Sequence, residues 1–220
     1  MNILPALSIT FHGYWHIGSG YGGGARCDRL MRKDPDGLPL LPGRTLHGHL
    51  RESTQTLEDM KWVATGTTDR LFGEMSPGGA RVVAKICAPG RLVVDNGVLP
   101  EPEGAWLQSR DDERKRLYRV LRSTAIDDDG LAAENTLRAI EICVPLTLHA
   151  PVQLLDAGND CGAADIETLR TACRLISRIG MGRHRGLGRC SVMLPRVDAC
   201  VSAAAASGVA AASTAGTEES

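Results

Sequence analysis

The chain has 220 residues, 43% of them hydrophobic, and balances 25 basic against 26 acidic side chains for a net charge of −1. That length and apolar content suit one sizeable folded unit, while the neutral balance excludes a freely basic nucleic-acid binder, whose footprint is a large positive excess. Aromatics at 4% leave few platforms for stacking single-stranded bases. Cys27, Cys87, Cys143, Cys161, Cys173, Cys190 and Cys200 are odd in number and never at C-x-x-C spacing. That excludes a zinc ribbon and argues against a disulfide framework. No apolar run reaches membrane-spanning length, and the start Met1-Asn2-Ile3-Leu4-Pro5 carries no basic flank. The expectation is a cytoplasmic protein with no membrane partner.

In chain order, Ala6 to Ile17 alternates and is rich in β-formers, which predicts a strand that places His12 and His16 on one face. A glycine-rich loop follows, Gly18 to Gly24, and Asp34-Pro35-Asp36-Gly37 is a turn signal. Pro42-Gly43 opens a helical pattern through Leu46, Leu50, Leu57 and Met60. Arg44 and Thr45 fall in its first turn, where free N–H groups and the helix dipole favour an anion. Arg81 to Cys87 reads as a strand, residues 88–109 as irregular, Asp111 to Leu121 as a charged helix-capable stretch, and Ser123 to Asn135 as a polar loop. Leu137 to Ala150 returns as a strand with a bend or edge at Pro145. Asp165 to Ile179 has helical period, and residues 189–194 form a last strand. The Ala/Ser/Thr/Gly tail from 198 to 220 buries no core and is expected to be disordered. The order strand, helix, strand, insertion, strand, helix, strand predicts an α+β, ferredoxin-like (RRM-like) β-α-β-β-α-β domain over residues 1–197.

The stretch Arg178 to Arg189 packs four glycines, four arginines and one histidine into twelve residues without an acid. Glycine lets the backbone approach a ligand closely, and arginine forks match phosphate oxygens in pairs. A glycine–arginine loop between a helix and a strand suits a phosphate backbone; the competing reading is a solvated basic turn. His47 and His49 stand two apart on a helix and share no face, which argues against a metal pair.

Several segments in order, from residue 7 to 195, resemble the RAMP superfamily of CRISPR effector proteins. They are His16-Ile17-Gly18-Ser19-Gly20, Asp28 to Asp34, Leu40 to Arg51, Leu71-Phe72-Gly73, Ile126-Asp127 through Glu134 to Pro145, and the loop from Gly180 to Arg189. The set is most similar to the repeated backbone subunit of type III complexes. That resemblance implies an RNA-binding palm, copies aligned head to tail along one guide RNA, and an inserted thumb at about 123–137 pressing on the guide–target duplex. It also implies other CRISPR effector subunits as partners. Arg44, Thr45, His47 and Arg51, together with Gly182, Arg183, His184, Arg185, Gly186 and Arg189, would hold the guide RNA, with Arg138 beside the thumb. Asp28, six residues before Asp34-Pro35, stands where the family carries its target-cleaving aspartate. The family's small hydroxyl residues and lysine after Pro-Gly are replaced here by Arg44, Thr45 and His47, and Cys27 and Arg29 flank Asp28.

RNA cleavage needs no protein nucleophile, because an aligned 2′-hydroxyl attacks the adjacent phosphate. Asp28 would take that proton or hold Mg²⁺ or another divalent cation; as a bare loop aspartate it would cap a backbone N–H instead. The resemblance therefore implies a guide-RNA-binding subunit with metal-dependent cleavage of the paired target RNA. A non-cleaving structural subunit and a metal-independent guide-processing ribonuclease using His12 or His16 are the alternatives.

Overall fold

A computed structural model describes residues 2–24, 27–74, 88–155 and 162–196. Its main sheet is antiparallel and four-stranded, in the order β2-β5-β1-β6. These strands are β1 (Asn2–Phe11), β2 (Leu92–Val94), β5 (Thr147–Leu154) and β6 (Cys190–Met193). Helices α1 (Gly43–Asp59) and α5 (Gly162–Leu175) pack together over it. The core lies between: Leu7, Ile9 and Phe11 of β1 and Leu148, Ala150, Val152 and Leu154 of β5 meet Leu46 and Leu50 of α1 and Leu169 and Cys173 of α5. The alternation Leu148, Ala150, Val152, Leu154 is what a strand with one covered face requires. Each large side chain buried in this layer contributes about 1.5–3 kcal/mol.

Between β2 and β5 the chain inserts α3 (Glu101–Gln108), α4 (Asp111–Arg116) and a two-stranded ribbon of β3 (Tyr118–Ser123) and β4 (Arg138–Cys143). The ribbon runs in register from Tyr118↔Cys143 to Ser123↔Arg138, and residues 124–137 form its tip. Residues 27–31 lie along the other edge of β4: Asp28 N–H donates to Ala139 O at 2.8 Å and Glu141 N–H to Arg29 O at 2.9 Å. The short α2 (Thr67–Phe72) packs on α1.

Several expectations change. The first strand ends at Phe11 rather than Ile17; the chain turns near Gly13, and Trp15 folds back to stack on Phe11 with ring centroids 4.1 Å apart. His12 and His16 therefore share no face. The stretch 88–109 is ordered into β2 and α3, because Pro102 sits in a first helical turn that also carries Glu101 and Glu103. The charged stretch stops being helical at Arg116, since Tyr118 to Ser123 finds a partner strand in β4. The expected single strand over 137–150 is two, β4 and β5. Helix α5 ends at Leu175: Ser177 to Ile179 leave it for a main-chain ladder with Gly188 and Cys190. The strand expected at Arg81 to Cys87 and the tail 198–220 lie outside the described residues.

Buried ion pairing adds what periodicity could not foresee. Asp165, in the first turn of α5, is wholly buried between two guanidiniums, Arg70 of α2 at 2.5 Å and Arg91 beside β2 at 3.0 Å. Removing one member of such a cluster leaves an uncompensated buried charge, at a cost of about 3–5 kcal/mol.

Candidate functional site

The Gly180–Arg189 loop is built from its main chain. Met181 N–H donates to His16 O at 2.9 Å, Gly188 N–H to Tyr14 O at 2.8 Å, and Ile179 N–H to Gly188 O at 2.9 Å. Two glycines are obligatory. Gly180 has φ +99° and a Cβ there would fall 2.4 Å from His16 O; Gly188 has φ +73° and a Cβ there would fall 2.0 Å from Ile179 O. Between Gly182 and Gly186, Arg183–Arg185 form one 3₁₀ turn. Arg183, His184 and Arg185 are exposed there, and neither they nor Arg189 have a carboxylate partner among the described residues. Arg178 ties the turn down by donating to Arg183 O at 2.8 Å. The outcome is a rigid backbone presenting unneutralised cations, which suits phosphate oxygens.

His16 joins this loop to the Asp28 strip. It is wholly buried; its Nδ1 lies 2.5 Å from Glu141 O and so donates there, and Nε2 has no partner among the described residues. Burial holds its pKa below the usual value, so it stays neutral. A wholly buried imidazole cannot reach an RNA strand, which removes His16 as a surface base for guide processing. His12 is exposed but spends Nε2 on Ser191 Oγ at 3.0 Å. Glu141 organises the strip from the side: its carboxylate accepts from Met31 N–H at 2.9 Å and pairs with Lys33 at 2.8 Å. Arg29, next to Asp28, reaches across to Met181 Sδ at 3.0 Å, so the Asp28 strip and the cationic loop are direct neighbours.

Asp28 itself is exposed. One carboxylate oxygen, Oδ2, accepts the Ala139 N–H at 2.7 Å; Oδ1 has no partner among the described residues. The residue both caps a backbone donor and offers an oxygen to solvent. Among the described residues no group of three or more His, Cys, Asp or Glu side chains could hold a metal ion. Asp28 is thus one oxygen ligand rather than a cage, a donor set that suits Mg²⁺ only if water and RNA phosphates complete its shell.

The Pro42–Arg51 segment divides. Its first turn is not an open anion cradle: Gly43 N–H donates to Asn96 Oδ1 at 2.9 Å, and Thr45 and Leu46 N–H both turn back to Pro42 O. Gly43 is required because a Cβ would lie 2.2 Å from Val94 O. Arg44 is exposed and Thr45 half-buried. Arg51 is engaged by α2 and the residue after it, donating to Gly73 O at 2.6 Å and Asp69 at 3.0 Å. His47 packs edge-on against Phe72 with centroids 5.1 Å apart. His49, weighed from the sequence only as half of a metal pair, is a helix residue that feels the loop. Burial and then the positive charge of Arg183 lower its pKa, against Glu52, which raises it. Arg138 is exposed at the start of β4, opposite Ser123. The thiols of Cys143 and Cys173 are pushed up to about 12 and that of Cys190 to about 11 by burial, so they are inert packing groups.

Among the described residues no helix is long and apolar enough to cross a membrane. Fold and site together define a mixed α and β protein whose antiparallel sheet carries a cationic loop fixed by its main chain. The chain matches the model of the RAMP superfamily over residues 8–191, and it belongs to that superfamily. Its fold is shared with a chain in the cryo-EM structure of type III-B Cmr-beta bound to cognate target RNA: the TM-score is 0.60 at 10% identity, covering 88% of this chain and 97% of that one. A chain in the apo-state cryo-EM structure of type III-B Cmr-beta gives a TM-score of 0.58 at 10% identity, covering 87% and 98%. No curated protein matches the chain.

Proposed function

We propose that this chain is a guide-RNA-binding backbone subunit of a cytoplasmic type III CRISPR ribonucleoprotein, and that Asp28 cuts the target RNA paired to the guide. The observation that carries the reading is the junction of the cationic loop with the Asp28 strip through Arg29 and Met181. A strand held on Arg183, His184 and Arg185 runs past the one exposed carboxylate of that strip. Superfamily membership supports the reading, as does the fold shared with chains of type III-B Cmr-beta, one of them bound to cognate target RNA. On this reading β1-α1-β2 and β5-α5-β6 are the two halves of a ferredoxin-like palm, and the ribbon tip 124–137 is the thumb. Near-neutral charge also favours many copies: a chain of net charge −1 holds a long polyanion better in head-to-tail repetition than alone.

In the mechanism, the loop fixes the phosphate backbone and Asp28 accepts the proton of an aligned 2′-hydroxyl through Oδ1 as that oxygen bonds the adjacent phosphorus and the P–O5′ bond breaks, leaving a 2′,3′-cyclic phosphate and a 5′-hydroxyl protonated from water, while the Ala139 N–H holds Oδ2 and so orients the carboxylate. Alternatively, Oδ1 would hold a divalent cation together with the RNA, and that cation would supply charge neutralisation at the phosphate. The same Ala139 bond favours the second reading, a structural subunit in which Asp28 only caps a backbone donor.

The assembled complex decides between them. Wild type is expected to cut target at the spacing of the subunits and to stop with a chelator. Asp28→Asn keeps shape and target binding but loses at least 100-fold in cutting rate, the lower range for a general base (~10²–10⁴). Equal cutting by Asp28→Asn would falsify the catalytic role; a wild-type complex that binds target and never cuts it establishes the structural one.

A further inference from the structure

The contact that joins the cationic loop to the Asp28 strip is a mismatched hydrogen bond. Its donor is the charged guanidinium of Arg29, and its acceptor is the Met181 thioether at 3.0 Å. A thioether sulfur is a weak acceptor. Arg29 is exposed, and among the described residues its side chain has no other acceptor and no carboxylate partner.

Neither partner can answer a change at the sulfur by moving its main chain. Met181 N–H donates to His16 O at 2.9 Å. The residue stands between Gly180 at φ +99° and Gly182 at φ +74°. On the other side, Arg29 O accepts the Glu141 N–H at 2.9 Å, and the neighbouring Asp28 N–H donates to Ala139 O at 2.8 Å. A chemical change at the sulfur therefore acts on the side-chain contact itself. Solvent reaches this sulfur. Met31 is 2% exposed and its sulfur accepts the Ile17 N–H inside the core. Met60 and Met193 are 58% and 61% exposed, and among the described residues no hydrogen bond reaches their sulfurs. Met181, 36% exposed, combines access with a charged partner.

We infer that Met181 is an oxidation site whose sulfoxide tightens the junction of loop and strip. The oxidant is a peroxide. Its O–O bond breaks as the sulfur lone pair takes one oxygen; the sulfur is oxidised, the peroxide is reduced, and the proton of the transferred oxygen leaves with the other oxygen as water. The new oxygen is a strong acceptor facing a charged donor, and charge-assisted hydrogen bonds are roughly twice as strong as neutral ones. The change is reversible, because methionine sulfoxide reductase returns the thioether. The inference goes beyond the RNA-binding reading and holds without it.

The test is amide exchange of the RNA-free protein before and after hydrogen peroxide, with peptide mapping to locate each added oxygen. Met181, Met60 and Met193 should gain oxygen before Met31. Exchange at the Asp28 and Met181 amides should then slow about fivefold, the factor for one added net hydrogen bond, and recover with the reductase. Met181→Leu keeps the volume, and peroxide should leave exchange there unchanged. Arg29→Ala should take oxygen at Met181 without slowing. Met181→Gln, which brings an acceptor oxygen of its own, should slow exchange with no peroxide. Three outcomes overturn the inference: Met181 unmodified when Met60 and Met193 are fully oxidised, exchange unchanged or faster in the oxidised wild type, or the same slowing in oxidised Met181→Leu. RNA affinity decides only the RNA-binding reading.

Discussion

The Gly180–Arg189 loop and the ribbon tip at 124–137 are both surface excursions, yet opposite forces shape them. The loop is held from below by hydrogen bonds to Tyr14, His16 and Ile179 and shows only polar or charged groups at its 3₁₀ turn. The tip is held by itself: Asp127 Oδ1 accepts from Asp129 and Leu131 N–H, and Thr124 and Thr136 hydroxyls meet at 2.7 Å. Its apolar side chains face solvent, with Ile126, Leu131 and Leu137 exposed by 64%, 66% and 68%. A preorganised loop loses little entropy when it binds. The apolar tip gains most of its interaction energy only when something covers it. One region is fixed by its own main chain; the other leaves apolar side chains uncovered.

The sharpest way to break that comparison is a matched pair of glycines. Gly188 and Gly130 have nearly the same φ, +73° and +79°, but a Cβ on Gly188 would meet Ile179 O at 2.0 Å while one on Gly130 meets nothing within 4 Å. Gly130→Ala should cost only the left-handed backbone penalty of about 1–2 kcal/mol. Gly188→Ala should cost at least about 3 kcal/mol, adding a forced main-chain shift to that penalty. Thermal or urea unfolding of the two proteins measures the difference, and equal losses would mean the loop is no better anchored than the tip.

Next in size is Arg183→Ala with Arg185→Ala. On the proposed RNA-binding reading, removing these two guanidiniums should flatten the slope of log K against log salt by about 1.8 on duplex-like RNA and about 1.4 on single strands, read from filter binding across a salt series. An unchanged slope removes the loop from the RNA interface.

Acid titration comes third. His16, His47 and His49 all have pKa values lowered from 6.5, chiefly by burial. Below about 6.5 the unfolded chain binds protons that the folded chain refuses, so stability should fall as pH drops through that window and be flat above it. Because His16 lies under the loop and none of the three lies in the tip, Asp28-strip and loop amides should lose hydrogen-exchange protection before tip amides change. Uniform loss would refute the placement of the sensitivity. The smallest effect belongs to Leu131→Ser: folding stability should move by less than about 0.5 kcal/mol, as for an exposed surface site, while duplex binding weakens. A large stability loss would show that the tip packs on its own chain.

Much of this was legible in residues. Pro42-Gly43 and the period of Leu46, Leu50 and Leu57 announced α1 because a helix start and a covered stripe are local properties. The glycine–arginine loop announced itself because only glycine tolerates such close main-chain approach. What failed was set at a distance. Ile176 and Ile179 are buried whether the helix continues or not, so periodicity could not see that Gly188 and Arg189 pull this stretch into a ladder. Tyr118 to Ser123 is strand only because β4 lies beside it. Arg51 and the α1 first turn looked open to an anion, and tertiary partners, Asp69, Gly73 and Asn96, had already taken their donors. The Pro102 helix start in α3 was signalled by Glu101 and Glu103 and could have been read.

The buried carboxylate of Asp165 has an architectural consequence. Because it grips both Arg70 and Arg91, it works as a clasp that ties α2 and the approach to β2 to the first turn of α5. One substitution at Asp165 would therefore loosen α2, the start of α5 and the entry to β2 together.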